Sequence, residues 1–94
     1  MIEVVINELF TKYSNLYKQW RIDNPGYVGC NYGIKELSLK GMIEGKIFTE
    51  DLLKGEQERV EGRIKVLDEL KTMHGFYQFR AVINEIFEEV NKRK

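Results

Sequence analysis

The sequence predicts an all-α fold: a three- to four-helix bundle with a long C-terminal helical stretch, kinked or broken near Gly75, and an irregular glycine- and tyrosine-rich loop after the first helix. Three observations predict it. Apolar residues recur at spacings of three and four through most of the chain, the period of an amphipathic helix. The only proline, the only cysteine and three of the eight glycines gather in one segment, residues 23–33. No run alternates apolar and polar residues as a half-buried strand would.

The first helix follows from Ile2, Ile6, Leu9, Tyr13, Leu16 and Trp20, which alternate spacings of four and three, with Val5, Phe10 and Tyr17 widening the stripe. A stripe this broad packs against two neighbouring helices rather than one. It stops near Ile22, because Pro25 pushes the residue before it away from helical dihedrals. Pro25 and Gly26 then suit the central positions of a type II turn.

An irregular segment of this length is long for a connector between helices, and such connectors tend to be functional or disordered. Its two tyrosines and its valine argue against disorder. The spacing predicts a second helix over about residues 34–44, with Ile34, Leu37, Met42 and Ile43 as its apolar positions and Gly45 as its C-terminal cap.

A third start is marked by Thr49 as N-cap, by Glu50 and Asp51 in the first turn, and by a hydrophobic staple between Phe48 and Leu53. Leu53, Val60, Ile64, Leu67 and His74 then share a face. Phe79, Ile83, Ile86 and Val90 form the last stripe, flanked by Phe76, Val82 and Phe87, and Lys92, Arg93 and Lys94 complement the terminal dipole. Continuous helix over residues 50–91 would be about 60 Å long, more than a small domain covers unaided. One bent helix and two separate helices both fit this stretch.

Composition narrows the function classes. The 94 residues make one domain, residues 1–94, with a modest core. Fifteen basic and fifteen acidic side chains cancel, six against five up to Ile47 and nine against ten beyond it. Neither half has the field that draws a protein to nucleic acid or an anionic membrane, so nucleic-acid binding is not expected. One cysteine forms no internal disulfide, the first residues lack the basic start of a signal peptide, and no stretch reaches the roughly 20 apolar residues of a membrane span. The expected location is cytoplasmic. The richness in Lys, Glu, Ile and Asn hints at an AT-rich bacterial or phage genome, and so at a phage or mobile-element accessory inhibitor.

No catalytic constellation is evident. Cys30 and His74 are single copies far apart; Cys30 reads as a small packing residue and His74 as a helix-end residue. No metal site and no cofactor are expected. The glutamate pairs Glu58 with Glu61 and Glu85 with Glu88, the latter extended by Glu89, read as a solvated acidic face.

What remains is interaction. Trp20 and Tyr77 are expected at an interface, tyrosine and tryptophan being favoured hot-spot residues. Gly55 and Gly62, seven residues apart, share a face with Val66 and mark a surface where another helix approaches closely. The expected function is a small non-enzymatic interaction or regulatory protein. It would bind a protein partner through helical faces and the glycine–tyrosine loop, and associate with itself, a dimer being the first expectation. The alternative is a nucleotide- or anion-binding module. There the loop between Gly26 and Gly33 leads into a helix N-terminus, with Arg21, Tyr27, Tyr32 and Lys35 as ligand contacts.

Overall fold

The computed structural model describes residues 1–27, 30–48 and 76–94. Among them every regular element is an α-helix: α1 spans Ile2–Asp23, α2 Asn31–Glu44 and α3 Phe76–Lys92. The all-α expectation is met for these residues. The staple at Leu53, the glycine face of Gly55, Gly62 and Val66, the bend at Gly75, and His74 lie outside the described residues.

The stripe of α1 is covered on two sides, as its breadth requires. Ile2, Val5, Ile6, Leu9 and Tyr13 are buried and Phe10 is half-buried. Burial then fades: Tyr17 and Trp20 are half-buried, and Leu16 is exposed. From α2 the core receives Ile34, Leu39 and Met42. From α3 it receives Phe79, Val82, Ile83, Ile86 and Val90, so the last stripe and its flank at Val82 face inward as their spacing predicts. Fully burying a side chain of this kind contributes about 1.5–3 kcal/mol.

α1 runs antiparallel to both neighbours. Tyr17 lies against Gly33 while Tyr13 meets Lys35, so α2 returns along α1. On the other side Glu8 pairs with Arg93 and Lys12 with Glu85, so α3 also runs back along it.

The turn out of α1 forms as Pro25 and Gly26 dictate. Gly26 takes φ +88°, and the Tyr27 N–H donates to the Asn24 carbonyl at 3.3 Å, the signature of a type II turn. Asn24 caps the helix twice over, its backbone N–H and its Nδ2 both donating to the Trp20 carbonyl at 2.9 Å.

α2 begins at Asn31, three residues earlier than expected, so Tyr32 and Gly33 belong to the helix and not to the loop. The reason is steric. A Cβ on Gly33 would lie 2.8 Å from the Tyr17 ring, so the glycine serves a close helix approach rather than a turn. Ser38 is fully buried, and its Oγ donates to the Ile34 carbonyl at 2.9 Å, which satisfies the hydroxyl inside the helix.

The C-terminus of α2 is a Schellman motif with its cap at Gly45, as expected. Gly45 is the C-cap but keeps right-handed dihedrals (φ −81°, ψ −5°), and Lys46 takes the left-handed conformation at φ 54°. The Ile47 N–H donates to the Met42 carbonyl at 2.9 Å and the Lys46 N–H to the Ile43 carbonyl at 3.1 Å. Met42 and Ile47, both fully buried, supply the hydrophobic contact that accompanies such a cap.

A lysine held at positive φ costs about 1–2 kcal/mol that glycine avoids, offset by about 0.5–1 kcal/mol of glycine's extra chain entropy. Lys46→Gly is therefore expected to raise the melting temperature by a few degrees. A fall in calorimetry would refute this account of the cap.

Candidate functional site

Two adjoining features occupy the end of the bundle where α1 gives way to α2. The first is an aromatic ledge. Tyr17 and Trp20, one helical turn apart on α1, stack with ring centres 6.4 Å apart and planes 26° from parallel. Arg21 lies over the Tyr17 ring at 4.6 Å, a cation–π contact. Beyond Trp20 opens a cleft of about 410 Å³, lined among the described residues by Trp20, Cys30, Asn31 and Tyr32. Its volume is within the range of ligand-sized pockets.

Local sequence explains the cleft. The Pro25–Gly26 turn sends the chain away from α1, and Cys30 brings it back in extended conformation (φ −118°, ψ 137°) as the N-cap of α2. Its carbonyl accepts the Ile34 N–H at 3.1 Å. The buried thiol does not cap the helix, and no acidic residue sits in the first turn of α2.

The second feature is a polar cluster joining all three helices. The Tyr13 hydroxyl donates to Glu85 Oε2 at 2.5 Å. Lys35 Nζ donates to the same hydroxyl at 3.4 Å and lies 4.0 Å from Glu85 Oε2, while Lys12 Nζ reaches Glu85 Oε1 at 3.4 Å. Both lysines sit over the Tyr13 ring, Lys35 at 4.9 Å and Lys12 at 5.2 Å. Tyr13 stacks on Tyr32, with ring centres 6.1 Å apart, and so the cluster touches one wall of the cleft. Desolvation, and then the adjacent Glu85 carboxylate, push the Tyr13 phenol well above its ordinary value of 10.0.

This arrangement corrects the reading of Glu85 as part of a solvated acidic face. The carboxylate is about one-quarter exposed and fully engaged. Of its neighbours, Glu88 is exposed as expected, whereas Glu89 is half-buried and pairs with Lys92 and Arg93. Arg93 also pairs with Glu8 and holds that carboxyl below its usual value.

The sequence-predicted site residues do not all come together. Trp20 and Tyr32 share the cleft. Arg21 lies on the ledge, and Tyr27, on the turn, is 73% exposed. Lys35 is drawn into the polar cluster beside Tyr13 and Glu85. Tyr77, near the start of α3, is 83% exposed. Gly55, Gly62 and Val66 lie outside the described residues. Sequence reasoning missed Glu85 and Asn31. The available signal for Glu85 was its place one step off the edge of the Phe79–Val82–Ile86 stripe, where an acid can reach across to a neighbouring helix.

Among the described residues no three histidine, cysteine or acidic side chains gather to hold a metal ion, and no helix is long and apolar enough to cross a membrane. Comparison with known proteins finds no matching family model, no similar curated protein and no similar solved structure.

Two predictions follow from this geometry. Tyr13→Phe removes a hydrogen bond to a charged acceptor and is expected to cost about 1.5–3 kcal/mol near neutral pH. Because the folded phenol titrates above the unfolded one, its contribution is complete below pH 10.0 and declines as pH rises beyond it. Denaturant melts should show wild type losing stability there more steeply than Tyr13→Phe, and parallel profiles would contradict the assignment. Gly33→Ala gains about 1 kcal/mol of helix propensity but drives a methyl group into the Tyr17 ring. Near-UV circular dichroism is expected to show the Tyr17–Trp20 stack disturbed, and an unaltered aromatic spectrum would exclude the close contact.

Proposed function

We propose that this protein is a small non-enzymatic interaction module that binds another protein through the aromatic face where α1 meets α2. The observation that carries the reading is the cleft between Trp20 and Tyr32, continuous with the Tyr17–Trp20–Arg21 ledge. Trp, Tyr and Arg are the residues that dominate binding hot spots, and here they surround a concavity able to take an apolar anchor from a partner. Leu16, one turn before Trp20 on α1, and Tyr27, on the turn that follows the helix, are also exposed. A regulatory role, and self-association into a dimer, belong to the same reading. A chain with no net charge meets no overall repulsion from its own copy.

The anion-binding alternative keeps the bare N-terminus of α2 and the nearby Arg21. Lys35, which it requires as a phosphate contact, is held instead by Tyr13 and Glu85. Thermal melts with a nucleotide panel test it, since a ligand at 100 times its dissociation constant adds about 2.7 kcal/mol. No stabilisation is expected.

Capture from the native host tests the preferred reading. The tagged wild type should retain a protein that Trp20→Ala and Tyr32→Ala both release, while folding as wild type does. A partner held equally by all three chains would defeat the proposal. Light scattering at high micromolar concentration is expected to report a dimer, and a monomer there would remove the self-association.

A further inference from the structure

We infer that Glu85 is a positioning residue for the cleft: acting through Tyr13, it fixes the Tyr32 ring that forms one of the cleft's walls. The contacts make an unbroken path across three helices. Glu85 on α3 accepts the Tyr13 hydroxyl at 2.5 Å, Tyr13 on α1 stacks on Tyr32 at 6.1 Å, and Tyr32 on α2 lines the cleft and is 38% exposed. Tyr13 transmits position because it is itself fixed. Its side chain is 4% exposed, with Lys12 and Lys35 over its ring and its hydroxyl bonded at the far end.

The charged and titratable groups that meet Glu85 are, among the described residues, Lys12 and Tyr13 from α1 and Lys35 from α2. They supply more donors than a single carboxylate needs. The lysines alone could neutralise Glu85, and the more exposed of the two pairs, with Lys12, contributes little by itself. The buried phenol adds direction to this arrangement. A hydroxyl bonded to a charged acceptor fixes where the far end of the Tyr13 ring lies, and that ring is the surface on which Tyr32 rests. The docking of α3 and the shape of the cleft are thereby coupled.

The inference concerns the site of the proposed function, but it is tested without a partner. Trp20 is the only tryptophan of the chain and lines the cleft, so acrylamide quenching of its fluorescence reads the cleft directly. Glu85→Leu removes the acceptor and Tyr13→Phe the donor. Each is expected to raise the quenching constant of the folded protein, and the double variant to raise it no further than one of them alone, because the two act through one bond. Glu88→Leu, an exposed position on the same helix, should leave it unchanged.

A contact that merely stabilised the fold would lower the melting temperature and leave Trp20 quenching at wild-type values below the transition. That result, or effects that simply add in the double variant, would overturn the inference. Should Glu85→Leu lose its helices by far-UV circular dichroism, Tyr13→Phe, one oxygen smaller than wild type, carries the same expectation alone. A partner that fails to appear in capture bears on the proposed function and leaves this measurement intact.

Discussion

The structure depends on α1 having more apolar surface than one neighbour can cover. Its stripe is wide enough to need α2 on one side and α3 on the other, and both run antiparallel to it. Tyr13 sits where the two coverings meet. It is large enough to fill the junction and polar only at its tip, and that tip must find a partner once buried. Glu85 provides it, and lysines of the two nearer helices pair with the carboxylate in its half-buried place. A buried phenol thus explains why an acid belongs on the inner edge of α3.

Toward the end of α1 the same helix runs out of cover. Leu16 is exposed and Trp20 half-buried, since the chain has already turned at Pro25 and α2 starts only at Asn31. The ledge and the cleft are what that overhang leaves. Their residues stack on one another, Tyr17 on Trp20 and Tyr32 on Tyr13, so the rings are presented in set orientations rather than loosely. Rigid aromatic rings lose little conformational entropy on contact, which suits them to recognition.

Much of this was legible in the sequence. The stripes of α1 and α3 are strongly periodic, and burial follows them from Ile2 to Tyr13 and from Phe79 to Val90. The turn was legible because Pro25 and Gly26 leave few dihedral choices. The start of α2 was not, because a glycine at position 33 reads as loop until Tyr17 is seen pressing on it across the helix pair. The cap of α2 was legible at Gly45, but nothing in Gly45–Lys46 says locally that the lysine takes the left-handed position. Of the site, Trp20 and Tyr32 were legible as aromatics in or beside an irregular segment. Glu85 was hidden, because its role is set by a residue 72 positions away.

That separation has a kinetic meaning. The α1–α2 hairpin assembles from residues close in sequence, across a connection of only a few residues. The bond between Tyr13 and Glu85 instead closes a long loop, whose length-dependent entropy alone is about 4 kcal/mol. Contacts of such range slow folding more than local ones do. The phenol–carboxylate bond therefore carries a larger closure cost than any contact between α1 and α2.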